Sequence, residues 1–281
     1  MALVPRLSAI LTGGLTALLF TAAAAAGVDA KALKAAVDNP ARAPEQRARD
    51  PYRHPLQTLT FFGIAPDMTV VEIWPGTTGY TDILAAYLYG HGRYIAATPA
   101  ASLPTASDNA KRGVAAYQAK LAAAPERLGK VVVTEFAPPL RTDIAPAGGA
   151  DAVLTFRNVH NWIAGSFEQQ AFDTFYKALK PGGILGVVEH RAKPGSTLDQ
   201  MKDTGYVNED YVIALARNAG FELAGRSPVN NNPKDTKDYP EGVWTLPPTL
   251  KLKDQDREKY LAIGESDRMT LKFIKPRDGK H

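Results

Sequence analysis

The sequence predicts an α/β fold, a Rossmann-like three-layer sandwich around a mostly parallel sheet of seven strands. Three observations carry that expectation. Short runs rich in β-branched and aromatic residues alternate with helical segments along most of the chain, as fully covered parallel strands do. The first run, Val70-Val71-Glu72-Ile73, leads into Trp74-Pro75-Gly76-Thr77-Thr78-Gly79-Tyr80, a glycine turn that opens a helix. In α/β proteins the loop after the first strand is where backbone approaches a nucleotide-like ligand, and Gly76 and Gly79 lack the Cβ atoms that would block such an approach. Finally, the 255 residues that follow the first 26 suit one large domain with a real core.

Residues 1–26 read as an export signal. Arg6 is the one charge, Leu7 to Phe20 is apolar, and a string of alanines suited to an A-x-A cleavage site follows. Thr12, Gly13, Gly14, Thr16 and Thr21 interrupt the run, and no stop-transfer pattern flanks it, which argues against a membrane anchor. Cleavage near Ala26 leaves 255 residues and takes the formal charge from +4 to +3, with the mature chain expected in the periplasm or secreted. Residues 27–60 read as an N-terminal helix to about Arg49 and then an extended arm, because Pro40, Pro44, Pro51 and Pro55 break the helical pattern.

The main domain, 61–281, then winds its sheet. Strand Thr69–Ile73 is followed by helix Thr81–Tyr89, which ends at Gly90; strand Tyr94–Ala97 by a helix over about Ala106–Ala124; then come strands Val131–Phe136 and Ala152–Phe156. Phe172, Phe175 and Leu179 fall at helical spacing, so Phe167–Leu179 reads as a helix with a core face. Lys180-Pro181-Gly182-Gly183 stops it and turns the chain into strand Ile184–Val188. Helix Asn208–Asn218, with Asn208 as its cap, precedes strand Phe221–Arg226, and Met269–Ile274 is the seventh strand. Between the last two lies a polar insertion over about 230–268, too long for an ordinary loop and of the kind that covers something.

Composition narrows the chemistry. Zero cysteines excludes disulfides, thiolate metal sites and cysteine nucleophiles. The small positive excess is spread without a Lys/Arg block, so no nucleic-acid partner is expected, and no stretch after the signal is apolar enough to span a bilayer.

The turn Glu72…Gly76…Gly79, the strand Asp151–Phe156 entering Arg157-Asn158-Val159-His160-Asn161-Trp162, and the turn Leu179–Leu185 together resemble a class I S-adenosylmethionine-dependent methyltransferase. More narrowly, Phe61-Phe62-Gly63-Ile64, Glu72–Gly76, Arg157–Trp162, Glu189-His190-Arg191 and Gly242–Pro248 resemble an exported bacterial group of predicted methyltransferases, over roughly residues 45–275. The resemblance implies that the last strand runs antiparallel and that S-adenosylmethionine lies over the ends of the first strands. It assigns cofactor contacts to Glu72, Trp74, Gly76, Thr78, Gly79, Tyr80, Thr98 and Glu135. The family's turn has glycines at the positions of Trp74, Gly76 and Thr78, so the central one alone is in register. Trp74 is placed to stack on the cofactor or to fill part of its pocket. Thr98 stands where the family carries the acid that holds both ribose hydroxyls, a loss of about 1–3 kcal/mol on hydrogen-bond scales. Asp108 is a weak substitute from the following loop.

Glu72 has two readings, an acceptor for the cofactor's ammonium or a brace for the turn. The segment Arg157–Trp162 lies beyond the fourth strand, where polar and aromatic residues at a strand's carboxyl end suit a site better than a core. His160 and Asn158 are candidate catalytic residues there, since histidine's ordinary titration range suits a base that removes the acceptor's proton. His160 as a helix cap is the competing reading. The segment lacks the Asn/Asp-Pro-Pro-Tyr/Phe pattern associated with methylation of bases, so a small-molecule acceptor is expected. Glu189 is a third catalytic candidate, or else the ion-pair partner of Arg191, which shares its strand face. His160, Glu189 and His190 lack ligand spacing on one element, and no metal is assigned. Trp162, Tyr206, Tyr239 and Trp244 are candidate pocket walls under the insertion. Two other function classes stay open: a non-catalytic binding module that kept the fold, and a dinucleotide enzyme, for which the G-x-G-x-x-G match lacks its first glycine and its later acid.

Overall fold

A computed structural model describes residues 27–77 and 79–277. The expected export signal over residues 1–26 lies outside the described residues, as does Thr78.

The seven strands are β1 (Thr69–Ile73), β2 (Arg93–Pro99), β3 (Val132–Phe136), β4 (Ala150–Phe156), β5 (Leu179–His190), β6 (Glu222–Ser227) and β7 (Arg268–Ile274). They form one sheet in the order β3-β2-β1-β4-β5-β7-β6. Strands β1 to β5 pair in parallel, and β7 runs antiparallel to both β5 and β6. This is the expected Rossmann-like α/β sheet. From β1 the chain winds outward through β2 and β3, then returns to add β4 on β1's other side. That reversal makes the β1/β4 junction the switch point where a crevice opens at the strands' carboxyl ends.

The two-residue period of the strands divides the core. Val71, Ile73 and Val153 face one layer with Trp162, Phe172 and Phe175; Val70, Ala152 and Leu154 face the other with Leu33, Leu59, Phe62 and Leu84. The first layer is built from α8 (Val159–Ala164), α9 (Glu168–Ala178) and α11 (Glu209–Asn218), the second from α1 (Ala30–Val37), α4 (Pro55–Phe62) and α5 (Thr81–Tyr87).

Four local expectations change. In place of an extended arm, residues 30–62 form four short helices, with α2 (Pro44–Arg47) and α3 (Asp50–Arg53) between α1 and α4. Pro44, Pro51 and Pro55 each sit in a first turn, where the missing N–H is an orphan anyway, so these prolines start helices. Lys180–Gly183 lies inside β5, accommodated by a register shift opposite Ala150 and Ala152 and by Gly182 at φ 79°. Asn208 stands at the start of α11 without capping it; its side-chain amide donates to Ser196 O at 2.5 Å. Unforeseen helices are α7 (Pro125–Leu128), following α6 (Asp108–Ala122), α10 (Leu198–Thr204), and α12 (Arg257–Ile263) inside the insertion. Among the described residues no helix is long and apolar enough to cross a membrane.

Candidate active site

Glu72 ends the apolar run of β1 and is 2% exposed. Tyr94 Oη donates to its carboxylate at 2.6 Å, and Thr81 Oγ1 joins Tyr94 and Tyr117 at 3.0 and 3.1 Å. Burial pushes the Glu72 carboxyl up to about 7 against the opposing effect of Tyr94 and the Tyr80 backbone. A Cβ on Gly79 would stand 3.3 Å from Glu72 Oε1. This glycine therefore lets the turn close over the acid, and Glu72 sits as the turn's brace. Gly76 is different: a Cβ there would meet nothing within 4 Å. It borders a cavity of about 320 Å³ over the ends of β1 and β2, with Trp74, Thr77, Thr98, Asn109 and Tyr117 among its walls.

The other cofactor candidates are mostly engaged within the protein. Trp74 holds φ 49°, a strained conformation at a position the resembling family gives to glycine. Its indole Nε1 donates to Phe136 O at 2.9 Å, and its ring makes edge contacts with Phe136, Trp162 and Phe167 at 6.1–6.2 Å between centroids. Tyr80 stacks on Phe156 at 3.8 Å and donates to Arg53 O at 3.3 Å. The Thr98 hydroxyl donates to Thr134 O at 3.2 Å. Glu135 accepts from Ser102 N at 3.0 Å and Ser102 Oγ at 2.5 Å, which hold it below the usual carboxylate range, and lies 3.4 Å from Arg141. Asp108 begins α6 outside the cavity wall, which takes the neighbouring Asn109 and Ala110.

A second cavity, of about 210 Å³, opens over the ends of β4 and β5. His160 in the first turn of α8 and Glu189 near the end of β5 meet there, with His160 Nδ1 3.1 Å from Glu189 Oε1. Glu189 is fully buried, and its oxygens also accept the backbone N–H groups of His160 at 3.3 Å and His190 at 2.8 Å. A carboxylate in this setting only accepts, so Nδ1 carries the proton and the His160 lone pair lies on Nε2. Asn158 is not presented to the cavity. Its amide donates to Ile73 O at 2.9 Å, tying β4's end to β1's across the switch point. Arg191 pairs with Glu209 and Asp267 in place of Glu189.

His190, whose Nδ1 lies 2.5 Å from Ser266 Oγ, completes that wall with its ring 5.3 Å from His160's. Burial holds it well below the usual histidine value, and His160, Arg157, Arg268 and Arg49 add to the effect. His160, Glu189 and His190 offer ligand atoms within 4.8 Å of one another, a spacing that would hold a metal ion. The fold assembles this trio from two elements, out of reach of a spacing rule.

Of the four aromatic wall candidates, Trp244 alone lines the cavity, through the short helical turn Gly242–Thr245 of the insertion, together with Val243, Pro247 and Pro248. Trp162 is fully buried in the core, Tyr206 bonds Asp235 at 3.0 Å, and Tyr239 packs on Tyr260. Arg49, Glu265 and Ser266 also line the cavity and were not singled out from the sequence. Their signal is faint, a pair of arginines at 49 and 53 around Asp-Pro-Tyr and a charged run Glu265–Arg268.

No protein-family model matches the chain, and no curated protein does. Solved structures resemble it in fold. A SAM dependent methyltransferase from Aquifex aeolicus is 15% identical over 88% of this chain and 98% of that one, with a TM-score of 0.51. An arsenic(III) S-adenosylmethionine methyltransferase from Chlamydomonas reinhardtii is 11% identical over 88% and 74%, with a TM-score of 0.49. The first likeness, at such low identity, is one of architecture: this chain shares the fold of that solved structure.

Proposed function

We propose that this chain is an S-adenosylmethionine-dependent methyltransferase acting on a small-molecule acceptor. The observation that carries the reading is the His160–Glu189 pair at the wall of a cavity over the carboxyl ends of β4 and β5; with Nδ1 turned to the carboxylate, Nε2 is the ring nitrogen left to take a proton. The first cavity fits an adenosyl ligand in position and size: it lies over β1 and β2, Gly76 leaves its rim open, and about 320 Å³ falls within the roughly 300–1,000 Å³ of small-molecule sites. Trp74, Gly76, Thr77, Thr98 and Asn109 would hold it, without a ribose carboxylate. Bound there, S-adenosylmethionine supplies a sulfonium methyl open to attack by a lone pair.

The protein's part is alignment and proton removal. His160 Nε2 would take the proton from the acceptor's O–H, N–H or activated C–H, freeing the electron pair for the methyl that the cofactor would supply. Glu189 orients the imidazole and stabilises its protonated form. Trp244 and the two prolines cover the acceptor and keep water from the base.

Isothermal titration of the mature protein with S-adenosylmethionine and S-adenosylhomocysteine is the direct test, and no heat at millimolar ligand would sink the reading. The non-catalytic binding module is the alternative that binding without turnover across an acceptor panel would favour. We also propose export through the leader at residues 1–26, which N-terminal sequencing of the protein from its native compartment would check.

A further inference from the structure

The cavity over β4 and β5 carries more positive charge than its own carboxylate neutralises. Arg49 and Arg157 line it, and Arg53 and Arg268 lie buried behind them, 5% and 2% exposed. Glu265 serves three of the four, at 2.5 Å from Arg49, 3.1 Å from Arg268 and 3.8 Å from Arg53. Arg157 stands apart, its guanidinium making no hydrogen bond or ion pair within 4 Å with the described residues. The backbone that aims it holds φ 62°, a strained conformation for a side chain of this size. Arg157 is half-buried, and Glu265, the carboxylate that acts on it, lies beyond ion-pair distance and already serves the other three arginines, so the cavity keeps an excess of positive charge for an anion to balance. Across the cavity, Val243, Trp244, Pro247 and Pro248 form an apolar wall.

We propose that this cavity binds a small organic oxyanion, and that the methyl acceptor therefore carries a carboxylate or phosphate group. The charged group sits on Arg157 and Arg49, whose planar forks match oxyanion geometry, and the carbon body lies against Trp244 beside His160. The assignment of this ligand as methyl acceptor rests on the transferase reading above; the anion site itself does not. A volume of about 210 Å³ limits the ligand to a single ring or its equivalent.

Thermal-shift titration of the mature protein at constant ionic strength, with inorganic phosphate, phenyl phosphate and benzoate against sodium chloride, tests this. Phosphate is expected to raise the Tm at millimolar concentration, and at least one of the two ring-bearing anions is expected to bind more tightly than inorganic phosphate. Arg157→Gln, which breaks no pairing in the protein, should weaken anion binding about tenfold or more. Arg112→Gln, exposed on α6, should bind as wild type does. Equal shifts with chloride and all three anions, or equal anion affinity in wild type and Arg157→Gln, would overturn the anion site. Adenosyl ligands, titrated separately, keep the two ideas apart: their failure with anion binding intact removes the transferase and leaves the anion site standing.

Discussion

His160 Nδ1 lies 3.1 Å from Glu189 Oε1, joining two residues 29 positions apart into one proton-handling unit. His160→Gln should lower kcat by roughly 10²–10⁴, the usual contribution of a general base, with S-adenosylmethionine affinity unchanged. Single-turnover kinetics beside calorimetry would check it. Glu189→Gln, by allowing the other tautomer, should lower kcat as well; full activity in both variants would dismiss the base.

Glu72 sets a pH dependence of stability. Its folded value of about 7 exceeds its ordinary 4.5, so the fold holds the proton longer than the unfolded chain does. This contribution is fully present below about pH 4.5, is lost as pH rises to about 7 and is flat above. The loss amounts to about 3 kcal/mol. Denaturant titrations from pH 4 to 8 should show Glu72→Gln with a shallower decline than wild type, and parallel curves would contradict the assignment.

Trp74 anchors the turn through packing. Trp74→Ala removes its contacts with Phe136, Trp162 and Phe167 and leaves Phe136 O without its donor. The expected cost is about 3–5 kcal/mol, read from urea unfolding. A loss under 1 kcal/mol would mean the indole is not held as described.

Glu265 carries three arginines, so Glu265→Gln should destabilise by about 3–5 kcal/mol, the cost of stranding buried charge. Added phosphate should recover part of that Tm loss in the variant. A variant as stable as wild type would refute the role.

Chelation separates a metal centre from an acid–base pair. Both Glu189 oxygens already accept N–H groups, and Arg157 and Arg49 line the same cavity, so EDTA should change neither Tm nor activity. Stoichiometric divalent metal by elemental analysis would favour the His160–Glu189–His190 trio as ligands.

The wound sheet was legible because strand alternation, helical spacing and glycine turns are local signals; six strands fall within two residues of their expected places, and β5 differs by starting at Leu179, through the expected turn. The prolines of 44–55 misled because proline breaks a helix interior yet starts a helix at its first turn, and only the neighbours decide which. Glu72 was legible as an acid needing a partner, while Tyr94, 22 residues away, was not named by any pattern.

The sequence by itself determined the fold class, the glycine turn and a polar cluster after the fourth strand, since each follows from residue type and short-range period. Tertiary structure alone decided what those residues meet. Arg49 and Glu265 stand 216 residues apart in sequence and 2.5 Å apart in space, and Trp74 fills ground that a glycine would have left open. Such meetings depend on how β4, β5, β7 and the insertion converge on one edge of the sheet, and pairing across that distance leaves no periodic trace in the chain.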